Sequence, residues 1–180
     1  VTEIEILENG NKFLGKKGGT ATTTNNIIIK AINFEYNKIS NILIAKDKVK
    51  IDDKIKDYLI FADKITYFKN KELIITEGET NAVIQSKYDF ISKNVSLNRI
   101  KMELSSSENS IIKDDKSNLY KLSKFKYFYD KKLLKGENIK IETNYLKDKN
   151  DKLFLSDAFI NFENNSFFSK DTKVLLHKDV

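Results

Sequence analysis

Cysteine, proline and tryptophan are absent from the 180 residues, there are only six glycines, and histidine, methionine and arginine occur once each, as His177, Met102 and Arg99. Without cysteine there is no disulfide framework, no thiol nucleophile and no thiolate metal site. A lone histidine leaves no imidazole pair for a metal. No sequence-local Ser or Asp forms a triad motif with His177, and it reads as a surface residue. Without proline, long extended runs are free of forced breaks. No apolar run approaches the ~20 residues of a membrane-spanning helix. No basic, apolar and small-residue sequence at the start reads as a signal peptide, as expected of a mature or excised segment.

The basic balance is weak grounds for a nucleic-acid partner. The formal charge is +6, but the cations are lysines with a single arginine, in a chain rich in Asn and Ile. That pattern fits a solvated lysine surface better than a phosphate-reading one, which favours arginine forks. Gly10-Asn11-Lys12-Phe13-Leu14-Gly15-Lys16-Lys17 approaches a phosphate-binding loop. Lys17, however, is followed by Gly18-Gly19 and a Thr-rich segment, not by the hydroxyl residue and helix that the chemistry requires, so a turn is expected there.

The dominant signal is alternation. Lys48-Val49-Lys50-Ile51, Lys124-Phe125-Lys126-Tyr127, Ile139 to Tyr145, Ala158 to Phe162 and Asn98 to Leu104 place apolar residues at every second position, and polar residues fill most of the positions between. Period two, with β-branched and aromatic residues, predicts half-buried strands and an all-β chain. In the last segment it places Ile100, Met102 and Leu104 on the dry face and Arg99, Lys101 and Glu103 on the wet one. Short polar clusters such as Asn25-Asn26, Lys69-Asn70-Lys71 and Asn164-Asn165 predict tight antiparallel connections. No linker composition divides the chain, so one domain over 1–180 is expected.

A weak repeat runs through the sequence: aromatic strand, polar turn, aliphatic strand, then a bend. Its copies begin at Phe34-Glu35-Tyr36, Ile65-Thr66-Tyr67 and Tyr127-Phe128-Tyr129, with bends expected at Asp47, Gly78 and Gly136. Asp63, after Phe61-Ala62, is the most motif-like acid, and a backbone-bonding role at a strand end suits it better than catalysis.

Phe61-Ala62-Asp63-Lys64-Ile65-Thr66-Tyr67 followed by Leu73 to Gly78 resembles the repeat of OstA-like domains, the family shared by the periplasmic bridge protein LptA and the N-terminal part of the lipopolysaccharide-assembly protein LptD. Glu103-Leu104-Ser105-Ser106, Asn118 to Leu122, Leu134 to Asn138 and Asp157 to Phe162 resemble the LptD pattern more than the bridge protein's. The resemblance covers most of the chain from Gly18 onward.

It implies a twisted, open antiparallel β-jellyroll built of hairpin repeats, with a hydrophobic groove for the acyl chains of lipopolysaccharide, at the periplasmic face of the outer membrane. Groove-facing residues would then be Ile32, Phe34, Tyr36, Val49, Ile51, Ile65, Tyr67, Leu97, Ile100, Met102, Leu104, Phe125, Tyr127, Ile139, Ile141, Ile160 and Phe162. Implied partners are an LptA-like jellyroll joined by edge-strand addition, and LptE through an outer-membrane barrel that these 180 residues do not include. No catalysis, metal, cofactor or nucleic acid is expected. An LptA-like bridge protein, a ligand-free structural sandwich or solenoid, and an all-β carbohydrate-processing enzyme stay open as alternatives.

Overall fold

A computed structural model describes residues 3–23, 25–147 and 150–177. These residues form eighteen strands and no α-helix, only short 3-10 turns at Glu8–Gly10 and Lys69–Lys71. In chain order the strands are β1 (Glu3–Leu7), β2 (Lys12–Lys16), β3 (Gly19–Thr22), β4 (Ile28–Ala31), β5 (Asn33–Asn37), β6 (Ile42–Asp53), β7 (Tyr58–Phe68), β8 (Leu73–Ile84) and β9 (Tyr88–Lys93). They continue as β10 (Ser96–Asn98), β11 (Glu103–Ser106), β12 (Ser110–Lys113), β13 (Leu119–Leu122), β14 (Lys124–Phe128), β15 (Leu133–Glu142), β16 (Lys152–Asn161), β17 (Ser166–Ser169) and β18 (Thr172–Leu175). Every pairing is antiparallel, as short polar turns between alternating segments require.

The pairing makes two leaves joined along a line of bends. One leaf contains β1, β2, β5, β10, β11, β14 and β17, and the other β3, β4, β9, β12, β13 and β18. The long strands β6, β7, β8, β15 and β16 bend through both, pairing by one half in each leaf. Because β8 and β15 do so, pairing closes a ring through β8, β10, β11, β14, β15, β13, β12 and β9, with the other strands outside it. The all-β expectation holds. The closed ring differs from the open form that the resemblance implies.

The bends fall where left-handed backbone is cheapest. Asp47 and Lys48 have φ of 67° and 54° beside a register shift in β6, Gly78 has φ 83°, and Asn94 and Asn138 have φ 48° and 51°. Asn, Asp and Gly tolerate this region best. The bends expected at Asp47 and Gly78 are present. The third lies at Asn138, two residues beyond Gly136. Gly136 serves packing: a Cβ there would meet Leu122 Cδ1 at 2.8 Å and Ile139 Cδ1 at 3.0 Å. Gly136→Val is therefore expected to cost about 1–3 kcal/mol by overpacking, read as a fall of several degrees in Tm.

Bends and turns also reset the alternation. Tyr58, Ile60 and Ala62 point inward before the irregularity at Asp63, and Ile65 and Tyr67 after it, so the buried set moves from even to odd numbers. The same resetting corrects the reading of Asn98 to Leu104, which is not one strand. Residues 99–102 form the turn between β10 and β11. Ile100 is 70% exposed, Arg99 is only 4% exposed, and Met102, with φ 52°, packs against the core from a partly buried position. Ile32 is likewise turned outward, at 37% exposure, because it occupies the bend between β4 and β5; its carbonyl accepts from Gly18 N–H and its own N–H donates to the Asp47 carbonyl.

Candidate functional site: an apolar interior, a mouth cavity and a charged seam

Apolar side chains facing between the leaves form two unbroken cross-strand ladders. In one leaf the register runs Ile6, Phe13, Tyr36, Leu43, Tyr67, Ile74, Leu97, Leu104, Tyr127, Leu134, Ile160 and Phe167. The other leaf continues from Ala21 and Ile29 through Ile51, Ile60, Ala82, Phe90, Ile112, Tyr120, Ile141 and Leu153 to Val174. Of the expected groove residues, Val49, Ile51, Ile65, Tyr67, Leu97, Leu104, Phe125, Tyr127, Ile139, Ile141, Ile160 and Phe162 are buried. Phe34, Tyr36 and Met102 are partly buried against the same core, and Ile32 and Ile100 do not face it.

Rings fill the middle of this interior. Phe90 approaches Tyr127 at 5.0 Å and Phe125 at 5.3 Å across the leaves, and Tyr88 stacks on Phe162 at 4.9 Å. Among the described residues, two hydroxyls are enclosed there without a hydrogen-bond partner, Tyr127 OH and Tyr129 OH. Burial pushes both phenols up, that of Tyr129 to about 12. Nearer the bends, buried hydroxyls pair off instead: Thr76 with Thr80 at 2.7 Å and Ser92 with Ser110 at 2.8 Å.

At the N-terminal end the second leaf begins at β3 while the first extends to β1, and the interior opens into a cavity of about 260 Å³. Phe13, Phe34, Tyr36 and Leu43 line it from one leaf and Thr20, Ala21 and Thr22 from the other, with Ile4 and Lys69 at its margins. Lys69 Nζ lies 5.1 Å from the centroid of the Tyr36 ring, which places one cation beside an otherwise apolar wall. Cross-strand aromatic pairs such as Phe13 and Tyr36, 6.3 Å apart, hold this wall in shape.

Just beyond the cavity the tips of the leaves meet at a charged cluster that sequence reasoning missed. Arg99, at the end of β10, donates from Nε to Tyr58 OH at 2.8 Å, from Nη2 to Asp53 Oδ2 at 2.7 Å and from Nη1 to Glu72 Oε2. Tyr67 OH and Asn25 Nδ2 donate to the other Glu72 oxygen at 2.8 and 3.0 Å, and Lys56 Nζ donates to the Arg99 carbonyl at 2.5 Å. Burial alone would raise the Asp53 carboxyl; the Lys56 amide, the Arg99 guanidinium and the Tyr58 hydroxyl overcome it and hold Asp53 below its ordinary value. Desolvation, aided by the Arg99 charge, lowers the Lys56 ammonium. The available signal was that the one arginine in a lysine-rich chain occupies a site needing a planar, three-way fork.

No protein-family model matches the chain, and no curated protein matches it. Function therefore rests on the geometry. The near-phosphate segment is mostly strand and not the expected turn: Lys12–Lys16 form β2, entered through a 3-10 turn that ends at Gly10, with no helix after it to receive an anion. Asp63 lies at the irregularity of β7, its carboxylate against Gly78. His177 is exposed, its backbone N–H donating to Asp151. Among the described residues no cluster of His, Cys, Asp and Glu has the arrangement to hold a metal ion.

Proposed function

We propose that the protein is a lipid-carrying β-jellyroll of lipopolysaccharide export, resembling the N-terminal periplasmic domain of LptD, and that it conveys acyl chains between its leaves without breaking a bond. The observation that carries this reading is the pair of apolar ladders running from edge to edge and ending at one side in an accessible apolar cavity. Each acyl CH₂ moved from water into such a site gains ~0.8 kcal/mol, and the attraction is non-directional, so a chain is held yet free to slide.

The ends suit passage between neighbours. Among the described residues, β1 and β3 at one end, and β17 and β18 at the other, each pair on one side only. They carry exposed apolar residues, Ile4 and Ile6 at the first end and Phe167, Phe168 and Val174 at the second. Unpaired strand edges of this kind accept a further strand, and an LptA-like jellyroll is the partner this reading gives them. Contact with LptE belongs to the outer-membrane barrel of the resembled protein, not to these strands. In this reading the domain sits at the periplasmic face of the outer membrane.

The ring-filled middle favours a second reading, a ligand-free structural sandwich. Equilibrium titration with lipopolysaccharide and with its fully deacylated glycan separates the two. The lipid reading expects binding of the intact molecule and no competition from the glycan. Equal binding of the glycan would assign the attraction to surface lysines, and binding of neither would leave a structural domain.

A further inference from the structure

We propose that Arg99 clasps the seam between the leaves and that its release gates passage of a lipid from the mouth cavity into the interior; this rests on the lipid-carrying reading above. At the bends the leaves are joined by continuous chain. At the tips they are joined differently. Backbone hydrogen bonds there stay within a leaf: Arg99 N–H to the Glu72 carbonyl, Tyr129 N–H to Met102 and Phe162 N–H to Lys132 in one, Gln85 N–H to Asp57 and Tyr145 N–H to Ser117 in the other.

Among the described residues, the hydrogen bonds that cross the seam have side-chain donors. Beside the Arg99 cluster, Gln85 Nε2 reaches the Tyr129 carbonyl at 3.1 Å and Lys116 Nζ reaches Asn165 Oδ1 at 2.6 Å. Such a seam opens without breaking a strand pair. A bulky hydrophilic headgroup cannot cross a ring-filled interior, so a lipid advancing with its chains inside must carry its headgroup along the seam. The first closed point on that course is the Arg99 cluster, since Glu72 lies three residues beyond Lys69 of the cavity margin.

The cluster suits a reversible clasp. Its cations Arg99 and Lys56 match its anions Asp53 and Glu72, so it closes without net charge, and opening returns hydration to all four. Closure also leaves the Tyr127 and Tyr129 hydroxyls enclosed and unpaired, a penalty that an ester or amide oxygen of an entering lipid would relieve. At the seam the closed form is held by these polar contacts and by the packing of Tyr58 against Tyr129 and of Tyr88 against Phe162, and it is opposed by two orphan groups.

The test places p-azidophenylalanine at Phe34, in the cavity, or at Tyr127, in the interior, where the azide replaces a hydroxyl that has no partner to lose. The probe is purified lipopolysaccharide. Arg99→Lys keeps the charge and removes the planar fork; it is expected to raise capture at position 127 about tenfold by enlarging the open population, with capture at 34 unchanged. A bismaleimide link between Lys116→Cys and Asn165→Cys, introduced into a chain with no other cysteine, is expected to suppress capture at 127. It does so with Arg99 intact as well, so the test does not depend on the folding of Arg99→Lys. Capture at 34 with capture at 127 indifferent to both the variant and the link would overturn the gate and leave the lipid reading standing. Capture at neither position would overturn the lipid reading, and the gate with it.

Discussion

Arg99→Met should be among the most destabilising single substitutions in this protein, at about 3–5 kcal/mol, because it leaves the buried Asp53 carboxylate and the largely buried Glu72 carboxylate without their cation. The cost arises from uncompensated charge and not from the absolute worth of the pair. Arg99→Met combined with Asp53→Asn should therefore recover part of it, since the amide accepts from Tyr58 without carrying a buried charge. Urea denaturation of the single and double variants measures both quantities. The same cluster sets an acid limit. Asp53 titrates below its ordinary 3.8 in the folded protein, so its stabilising contribution is complete above that value and is lost as pH falls through the folded pKa. Stability at pH ~5 should accordingly retain the contribution of Asp53. In Asp53→Asn the loss of stability below pH ~4 should be smaller than in the wild type.

The second large effect is expected on binding. Phe34 lines the mouth cavity in a half-buried position, where a polar replacement can still reach water, so Phe34→Asp should fold with little loss of stability. It removes a large aromatic surface from the wall and brings a carboxylate to the entry of an acyl chain. Loss of the aromatic burial alone, at ~1.5–3 kcal/mol, corresponds to a fall in lipid affinity of about 10- to 100-fold, before any charge penalty. Titration with lipopolysaccharide, alongside thermal denaturation, separates this from unfolding. An unchanged affinity in a folded Phe34→Asp protein would move the binding site away from the mouth.

The strands and their inner faces were legible because period two survives within each straight segment. Val49 with Ile51, Phe125 with Tyr127, and Ile139 with Ile141 point inward as their alternation requires. What the pattern could not carry across is a bend or a turn, where one residue is inserted and the faces exchange. Ile32 sits on such a bend and Ile100 in such a turn, and both emerged on the outside.

Gly136 shows a different limit. A glycine in a strand signals either a bend or a close approach, and only the position of the Leu122 and Ile139 side chains decides for the second. The Arg99 cluster was illegible for a third reason. Its members, Asp53, Lys56, Glu72 and Arg99, come from three separate tips, and nothing in their local sequence marks them as neighbours. The mouth cavity depended likewise on β1 extending one leaf beyond the other, a matter of pairing and not of pattern.

Whether the space between the leaves is a lipid path is tested most directly by neighbouring positions on one strand. Tyr36 faces the cavity, whereas Glu35 lies on the opposite side of β5, paired with Lys12 at 2.9 Å. Because adjacent residues in a strand point to opposite faces, p-azidophenylalanine at 35 or 36 samples the outside and the inside at nearly the same backbone position. Irradiation in the presence of lipopolysaccharide should yield the cross-linked lipid from position 36 and none above background from position 35. Equal yields from both, or a yield from 35 alone, would contradict an interior path and assign the lipid to the outer surface.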